Sequence, residues 1–112
     1  MDAKTCRRIG GLYVPKEKAC AVRLDKMPRK GDRLTTRKSI WTKKMGPEKW
    51  IDLPMITVPV SKLGNVIYTN IQGEFHIKWD KPLGFETIEL YNSDAYDDFD
   101  IVIKDLNNTN EV

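Results

Sequence analysis

The stretch of sequence that decides the fold is Gly73-Glu74-Phe75-His76-Ile77-Lys78-Trp79-Asp80. Within it, Phe75, Ile77 and Trp79 alternate with polar or charged residues, which is the period of a strand with one buried and one solvated face. The preceding segment, 65–71, is rich in β-branched and aromatic residues, and Gly73 can supply the positive φ of a tight turn. The two segments are therefore predicted to form a β-hairpin.

Further elements are predicted on the C-terminal side of this hairpin. A five-residue turn over 80–84 leads into a third strand, 85–90, and completes a meander. Ser93 is a suitable N-cap for one short helical turn over 94–98. Phe99, Ile101 and Ile103 then alternate with Asp100, Val102 and Lys104 as a final strand.

On the N-terminal side, the sequence predicts a hairpin of 12–14 with 19–24 and further strands at 33–36 and 39–43. Residues 38–54 are predicted to form one long protruding hairpin. Pro54 and Pro59 remove backbone donors on both sides of 55–58, which confines that segment to an edge or an irregular crossing. Amphipathic periodicity of normal helix length is absent.

The predicted fold class is therefore mainly β: a small barrel or a strongly bent antiparallel sheet, with an N-terminal hairpin extension and one short helical turn. We expect one domain over 1–106, composed of an extension over 1–29 and a barrel-like core over 30–106, followed by a flexible tail over 107–112. A length of 112 residues, with 40% hydrophobic and 31% charged residues, is typical of one globular domain.

The location expected from the sequence is the cytoplasm. Charged residues and glycines interrupt the first twenty residues, so the apolar core of a signal peptide is not visible there. Apolar runs are also far shorter than a membrane span, and we expect no membrane partner.

Charge is distributed unevenly along the chain, although the formal net charge is only +3. Residues 1–50 contain fifteen Lys or Arg against five Asp or Glu, whereas residues 51–112 contain four against eleven. A cationic segment gains affinity for polyanions by releasing counterions. Two alternatives remain open: the halves neutralise each other inside one fold, or opposite poles attract between copies and cause salt-sensitive self-association.

The order of these elements resembles an SH3-like small barrel of the Tudor and KOW types. The resemblance is carried by Lys30-Gly31-Asp32-Arg33-Leu34, Gly64-Asn65-Val66-Ile67-Tyr68, the quoted stretch 73–80, the segment 84–90 and Phe99-Asp100-Ile101-Val102. About thirty residues separate the first of these strands from the second, a longer insertion than such barrels usually hold. The resemblance implies a binding module for nucleic acid or protein peptides rather than an enzyme.

Catalytic and metal-binding patterns are weak in this sequence. The single histidine, His76, is predicted on the solvated face of its strand, without a readable catalytic partner. Cys6 and Cys20 are expected to be reduced thiols, and with one histidine they cannot complete a Cys and His zinc site. The acidic cluster is expected to be a solvated turn; its members are Asp94, Asp97, Asp98 and Asp100. We therefore expect no enzyme activity, cofactor or metal.

The strongest functional signal is a basic stretch with interleaved tryptophans. Its cations can neutralise phosphates, and an exposed Trp41 can stack on unpaired bases, whereas Trp79 and Trp50 are expected in the core. The candidate binding residues are Arg23, Lys26, Arg29, Lys30, Arg33, Arg37, Lys38, Trp41, Lys43, Lys44 and Lys49.

Two function classes follow from these observations. The first is a small basic module that contacts the backbone of RNA or DNA with little sequence preference. The alternative is a protein-interaction module, such as a small regulator or inhibitor of a larger host protein or enzyme, a type that includes phage-encoded proteins. It would use the 38–54 hairpin or an open strand edge.

Overall fold

A computed structural model of the chain describes residues 1–43, 55–87 and 90–104. It contains one helix, α1 (Ala3–Arg8), and a 3-10 turn at Ser93–Asp98. The strands are β1 (Leu12–Val14), β2 (Ala19–Arg23), β3 (Arg33–Thr36), β4 (Ile40–Lys43), β5 (Met55–Val58), β6 (Leu63–Thr69), β7 (Phe75–Trp79) and β8 (Phe99–Ile103).

The strands form a six-stranded antiparallel sheet, with the order β1-β2-β8-β3-β6-β7, and a two-stranded antiparallel sheet, β4-β5. The mainly β fold is thus confirmed. The N-terminal hairpin β1–β2 belongs to the main sheet, because β2 pairs directly with β8. β8 lies between β2 and β3 and is the strand that joins the two ends of the sheet.

The hairpin predicted from the opening stretch is confirmed as β6–β7. Phe75, Ile77 and Trp79 are buried, as their alternation predicts. Gly73 has a φ of 81° in the turn, and the side chain of Asn70 accepts hydrogen bonds from the backbone N–H groups of Gln72 and Glu74. The hydroxyl of Tyr96 also donates to the carbonyl oxygen of Gly73 at 3.2 Å, so local geometry and one distant contact together fix the turn.

The segment predicted as the third strand of the meander pairs with β7 at its described residues. Lys78 and Glu86 form one isolated bridge, and Phe75 and Tyr91 form another. Between them, the N–H of Thr87 donates to the carbonyl oxygen of Ile77. The described residues on both sides of 88 and 89 thus pair with β7, and residues 88 and 89 lie outside the described residues.

β8 confirms the predicted final strand but differs from the expected alternation in its burial. Asp100 and Val102 lie on the opposite side of the strand from Phe99 and Ile103, yet all four are buried. The physical reason is position: β8 has strand neighbours on both edges, and parts of the structure cover both of its faces. The helical turn beside it is confirmed at Ser93–Asp98, although its N-cap is Asn92, whose side chain accepts from the N–H of Asp94.

The expectation of two reduced cysteines is wrong, because Cys6 and Cys20 form a disulfide. Cys6 lies on α1, an element too short for the periodicity criterion, and α1 packs against β1 and β2. The two Cα atoms are 5.3 Å apart, a separation that suits a disulfide. Gly11 lies directly against β2, where a Cβ would collide with the Cys20 Sγ and the carbonyl oxygen of Ala21.

The hairpin predicted over 38–54 is also corrected. β4 pairs with β5, so that Ile40 lies opposite Val58 and Lys43 lies opposite Met55. Both Ile40 and Val58 are buried, and their burial in the common core selects this partner for β4. The predicted tip of the hairpin, the position of Trp50 and the predicted tail 107–112 lie outside the described residues.

The six-stranded sheet has two chemically different faces. The face here called the apolar face contains Leu34, Val66, Ile77, Trp79 and Phe99, which pack into the main core with the inner side of β4–β5. The opposite face, here called the ion-pair face, is defined by the register that places Arg23, Arg33, Thr35, Asn65 and Asp100 on one side.

Candidate binding surface

Arg33 is the most enclosed of the candidate cations. Its Nε donates to Glu17 Oε1 at 2.6 Å, and its Nη1 donates to Asp80 Oδ1 at 2.7 Å. Nη2 completes a bidentate contact with the second oxygen of Asp80. Hydrogen bonding to Asp80 raises the pKa of Arg33, and the same bond lowers the pKa of Asp80. Arg33 therefore acts as a structural link across the ion-pair face.

Three more candidate cations pair with acids of the C-terminal acidic cluster. Arg23 Nη2 lies 2.7 Å from Asp97 Oδ1, and Lys38 Nζ lies 2.9 Å from Asp98 Oδ1. Arg37 Nε lies 3.3 Å from Asp100 Oδ1. The cluster was expected to be a solvated turn, yet each of these three acids is ion-paired. The contacts match the alternative in which the two oppositely charged halves neutralise each other.

Asp100 departs furthest from the expected solvated turn, because only 5% of the residue is exposed. Burial raises the pKa of its carboxyl group, while Arg37 and Arg23 act in the opposite direction. Its place on a central strand explains this burial, since its β3 neighbour Thr35 is buried beside it.

The remaining described candidates divide between the connection after β2 and the β4–β5 hairpin. Lys26, Lys30 and Lys43 make no ion pair with another described residue. The backbone N–H of Arg29 donates to Asp32 Oδ2 at 2.7 Å, which closes the charged turn before β3. Lys44 and Lys49 lie outside the described residues.

The outer side of the β4–β5 hairpin carries an exposed aromatic patch. Trp41 is 66% exposed, as predicted, and Met55 on the neighbouring strand is 45% exposed. Strand alternation and register place both on one side with Lys43 and Thr57. Diagonal neighbours of this kind lie roughly 7 to 8 Å apart, within reach of an aromatic side chain. We call Trp41, Lys43, Met55 and Thr57 the hairpin patch.

The inner side of the same hairpin holds the patch in place. Ile40 and Val58 are buried in the main core, and Thr42 is fully buried between the strands and the rest of the molecule. The hydroxyl of Tyr91 donates to Thr42 Oγ1 at 2.7 Å. These contacts orient Trp41 toward solvent, so its exposure is fixed by packing on the opposite side of its strand.

His76 has a structural contact in place of a catalytic partner. It is half-buried, and its Nδ1 lies 3.1 Å from the carbonyl oxygen of Thr87. Its ring lies 5.6 Å from that of Tyr68, measured between centroids. Across residues 1–43, 55–87 and 90–104, no group of three or more His, Cys, Asp or Glu is arranged to hold a metal ion.

Sequence reasoning found Trp41 and missed Met55. Trp41 was expected to be exposed because Trp79 and Trp50 were assigned to the core, but the position of Met55 depends on the register across a long connection, which the sequence does not specify. In the same described part of the chain, no helix has the length and apolar character needed to cross a membrane.

Comparison of the chain with protein-family models, curated proteins and solved structures finds no significant match.

Proposed function

We propose that this chain is a non-enzymatic protein-interaction module that docks on a larger protein through the hairpin patch. The observation that carries the proposal is the exposure of Trp41 beside Met55 on a hairpin whose other side is anchored in the core. The resemblance to Tudor-type and KOW-type modules, which are binding domains, supports the same class of function.

The chemistry of the patch indicates what the partner surface offers. Tryptophan and methionine are enriched in protein interfaces, and tryptophan is frequent among the few residues that dominate binding energy. Lys43 lies on the same side and has no ion pair with another described residue. An apolar pocket with an acidic rim is therefore the complementary surface, as expected for a small regulator or inhibitor on its target.

The ion pairs favour this function over a nucleic-acid module. Binding to a phosphate backbone depends on cations that release counterions. Arg23, Arg33, Arg37 and Lys38 already have carboxylate partners within the fold. A phosphate would have to compete with those partners, and the gain from each contact would be smaller.

The test is to capture binding partners on the immobilised protein from a nuclease-treated cell extract. The proteins recovered by the wild type, Trp41→Ala and Ile71→Ala are then compared. Ile71 is 96% exposed in the β6–β7 turn and is a matched apolar control away from the hairpin. The proposal predicts one stoichiometric protein that the wild type and Ile71→Ala retain and Trp41→Ala loses. Equal recovery by both variants, or recovery of no protein, contradicts it.

Nucleic-acid binding is the second candidate, and one observation favours it: an exposed Trp41 on the same side as Lys43 is the combination that stacks on and neutralises a single strand. A titration with a single-stranded oligonucleotide at several salt concentrations tests it. Binding that weakens with salt and is lost in both Trp41→Ala and Lys43→Glu supports this candidate. An affinity independent of salt, or no binding, excludes it.

Two observations favour different cellular compartments for this protein. The sequence favours the cytoplasm, whereas a disulfide such as Cys6–Cys20 is typical of oxidising compartments. Alkylation of acid-quenched cells under denaturing conditions measures the thiol state. Two alkylated cysteines support the cytoplasm, and an intact disulfide supports an oxidising compartment.

A further inference from the structure

A groove lies beside the connection between β2 and β3. Both strands are antiparallel to β8, so they run parallel to each other, and residues 24–32 must cross over β8 to join them. Leu24 packs into the main core, which places the crossover on the apolar face. The groove between the crossover and the strands has a volume of about 540 Å³.

The groove follows from a divergence within the sheet. The pairing of β3 with β8 ends at Leu34 and Ile101. On its other edge, β3 remains paired with β6 as far as Arg33 and Asn65. The N–H of Gly31 donates to the carbonyl oxygen of Val66 at 2.8 Å and holds the crossover on that side. Val102 and Ile103 are consequently paired with β2 alone.

The lining combines an apolar floor with a surplus of positive charge. Val22, Leu24, Ile101 and Ile103 line the groove from the apolar face. Its cations outnumber its two acids, Asp25 and Asp32; they are Arg23, Lys26, Arg29, Arg33 and Lys104.

Several of these charges are already engaged. Asp32 accepts a hydrogen bond from the backbone of Arg29, and Arg23 and Arg33 have carboxylate partners. Lys26 and Lys104 are exposed and make no ion pair with another described residue. Asp25 likewise has no ion pair with another described residue, so two lysines stand against one acid beside the apolar floor.

We propose that this groove binds an aliphatic carboxylate, with its hydrocarbon chain on the floor of Val22 and Ile101 and its carboxylate at Lys26 and Lys104. The volume lies within the range of roughly 300 to 1,000 Å³ that is usual for small-molecule sites. Burying the chain supplies affinity, and the charge-assisted contact selects an acid over a neutral molecule of the same length.

The probe for this site is octanoate, with 1-octanol as the uncharged control, in a heteronuclear NMR titration of the full chain. The proposal predicts saturable shifts at 22–33 and 101–104, and weaker binding of 1-octanol by about tenfold. Shifts confined to other residues, equal binding of the alcohol, or no saturable binding overturns it.

Two charge-reversal variants distinguish binding of octanoate in the groove from a general effect of net charge. Lys26→Glu is expected to weaken octanoate binding by about tenfold. Lys30→Glu is the matched control, because it lies in the same connection but does not line the groove. An equal loss in both variants overturns the proposal. Trp41→Ala is expected to bind octanoate normally, so the groove and the hairpin patch are tested independently.

Discussion

The apolar face and the ion-pair face of the six-stranded sheet are stabilised by different forces. On the apolar face, Trp79 stacks on Phe99 with 6.3 Å between ring centroids, and Phe75 contacts Phe99 edge to face. On the ion-pair face, Arg33 links Glu17 from the N-terminal hairpin to Asp80 from the end of β7. The first face depends on shape and volume, whereas the second combines these ion pairs with a small apolar cluster of Ala19, Leu63 and Val102.

This difference has consequences for mutation and for pH. Loss of volume on the apolar face leaves a cavity in a closely packed region. Loss of one charge on the ion-pair face leaves its partner without compensation in a half-buried position. Changes in pH act on the ion-pair face, because two carboxylates with shifted pKa values lie there. Asp80 has a bidentate contact with Arg33, and Asp100 is buried.

The largest effect is expected on the apolar face. Trp79→Ala should lower the free energy of unfolding by about 3 to 5 kcal/mol, because a fully buried side chain is removed from the main core. Urea unfolding followed by circular dichroism measures the change. Trp41→Ala, which removes an exposed tryptophan, should leave the stability close to that of the wild type. Similar losses in both variants would contradict the assignment of the two tryptophans.

The next effect tests the disulfide at the edge of the apolar face. The double variant Cys6→Ala with Cys20→Ala opens a loop whose ends are 14 residues apart, and it should lose about 3 kcal/mol of stability through the greater entropy of the unfolded chain. The thermal unfolding midpoint with and without reductant provides the measurement. Loss of the disulfide on reduction is verified by mass spectrometry. If the unfolding midpoint of the reduced wild type is unchanged, α1 is held by packing alone.

On the ion-pair face, Arg33→Met should cost about 2 kcal/mol, since Glu17 and Asp80 are left half-buried without their cation. Lys38→Met is the matched control, because it removes an exposed cation with a single partner, and no measurable change is expected. Chemical unfolding of the two variants measures the difference. If the two substitutions have the same effect, Arg33 is not a structural link.

The smallest effect is a difference in the pH dependence of stability. Asp80 has a lowered pKa in the folded state, so its contribution is present above its ordinary value and is lost as the pH falls through the folded value. Asp100 has a raised pKa, so its ionisation opposes folding, and the folded state gains stability as the pH falls toward its ordinary value. The two carboxylates therefore act with opposite sign.

Urea titrations from neutral pH to about pH 3 distinguish them. Asp80→Asn should lose stability less steeply than the wild type as the pH decreases, and Asp100→Asn should lose it more steeply. Parallel curves for the three proteins would mean that neither carboxylate has a different pKa in the folded and unfolded states.

Local patterns predicted the parts of the fold that local interactions determine. The alternation of Phe75, Ile77 and Trp79 and the turn at Gly73 were sufficient for β6–β7. In each case the decisive information lies within a few residues of the feature.

Features that depend on distant residues could not be predicted in the same way. The burial of Asp100 follows from the central place of β8 between β2 and β3, which the strand pattern does not encode. The partner of β4 follows from burial of Val58 across a long connection. The ion pairs of Arg23, Arg37 and Lys38 join segments about 60 to 75 residues apart, so charge counts along the chain could not distinguish a basic surface from internal neutralisation.

The central position of β8 has a consequence for biosynthesis. The sheet cannot be joined until Phe99–Ile103 has left the ribosome, because this strand alone pairs with both β2 and β3. A nascent chain that ends before it holds the β1–β2 hairpin and the β3–β6–β7 sheet as separate pieces, each with an exposed edge. Assembly then depends on contacts between remote parts of the sequence, which is a slow route to the native state and one that is vulnerable to aggregation.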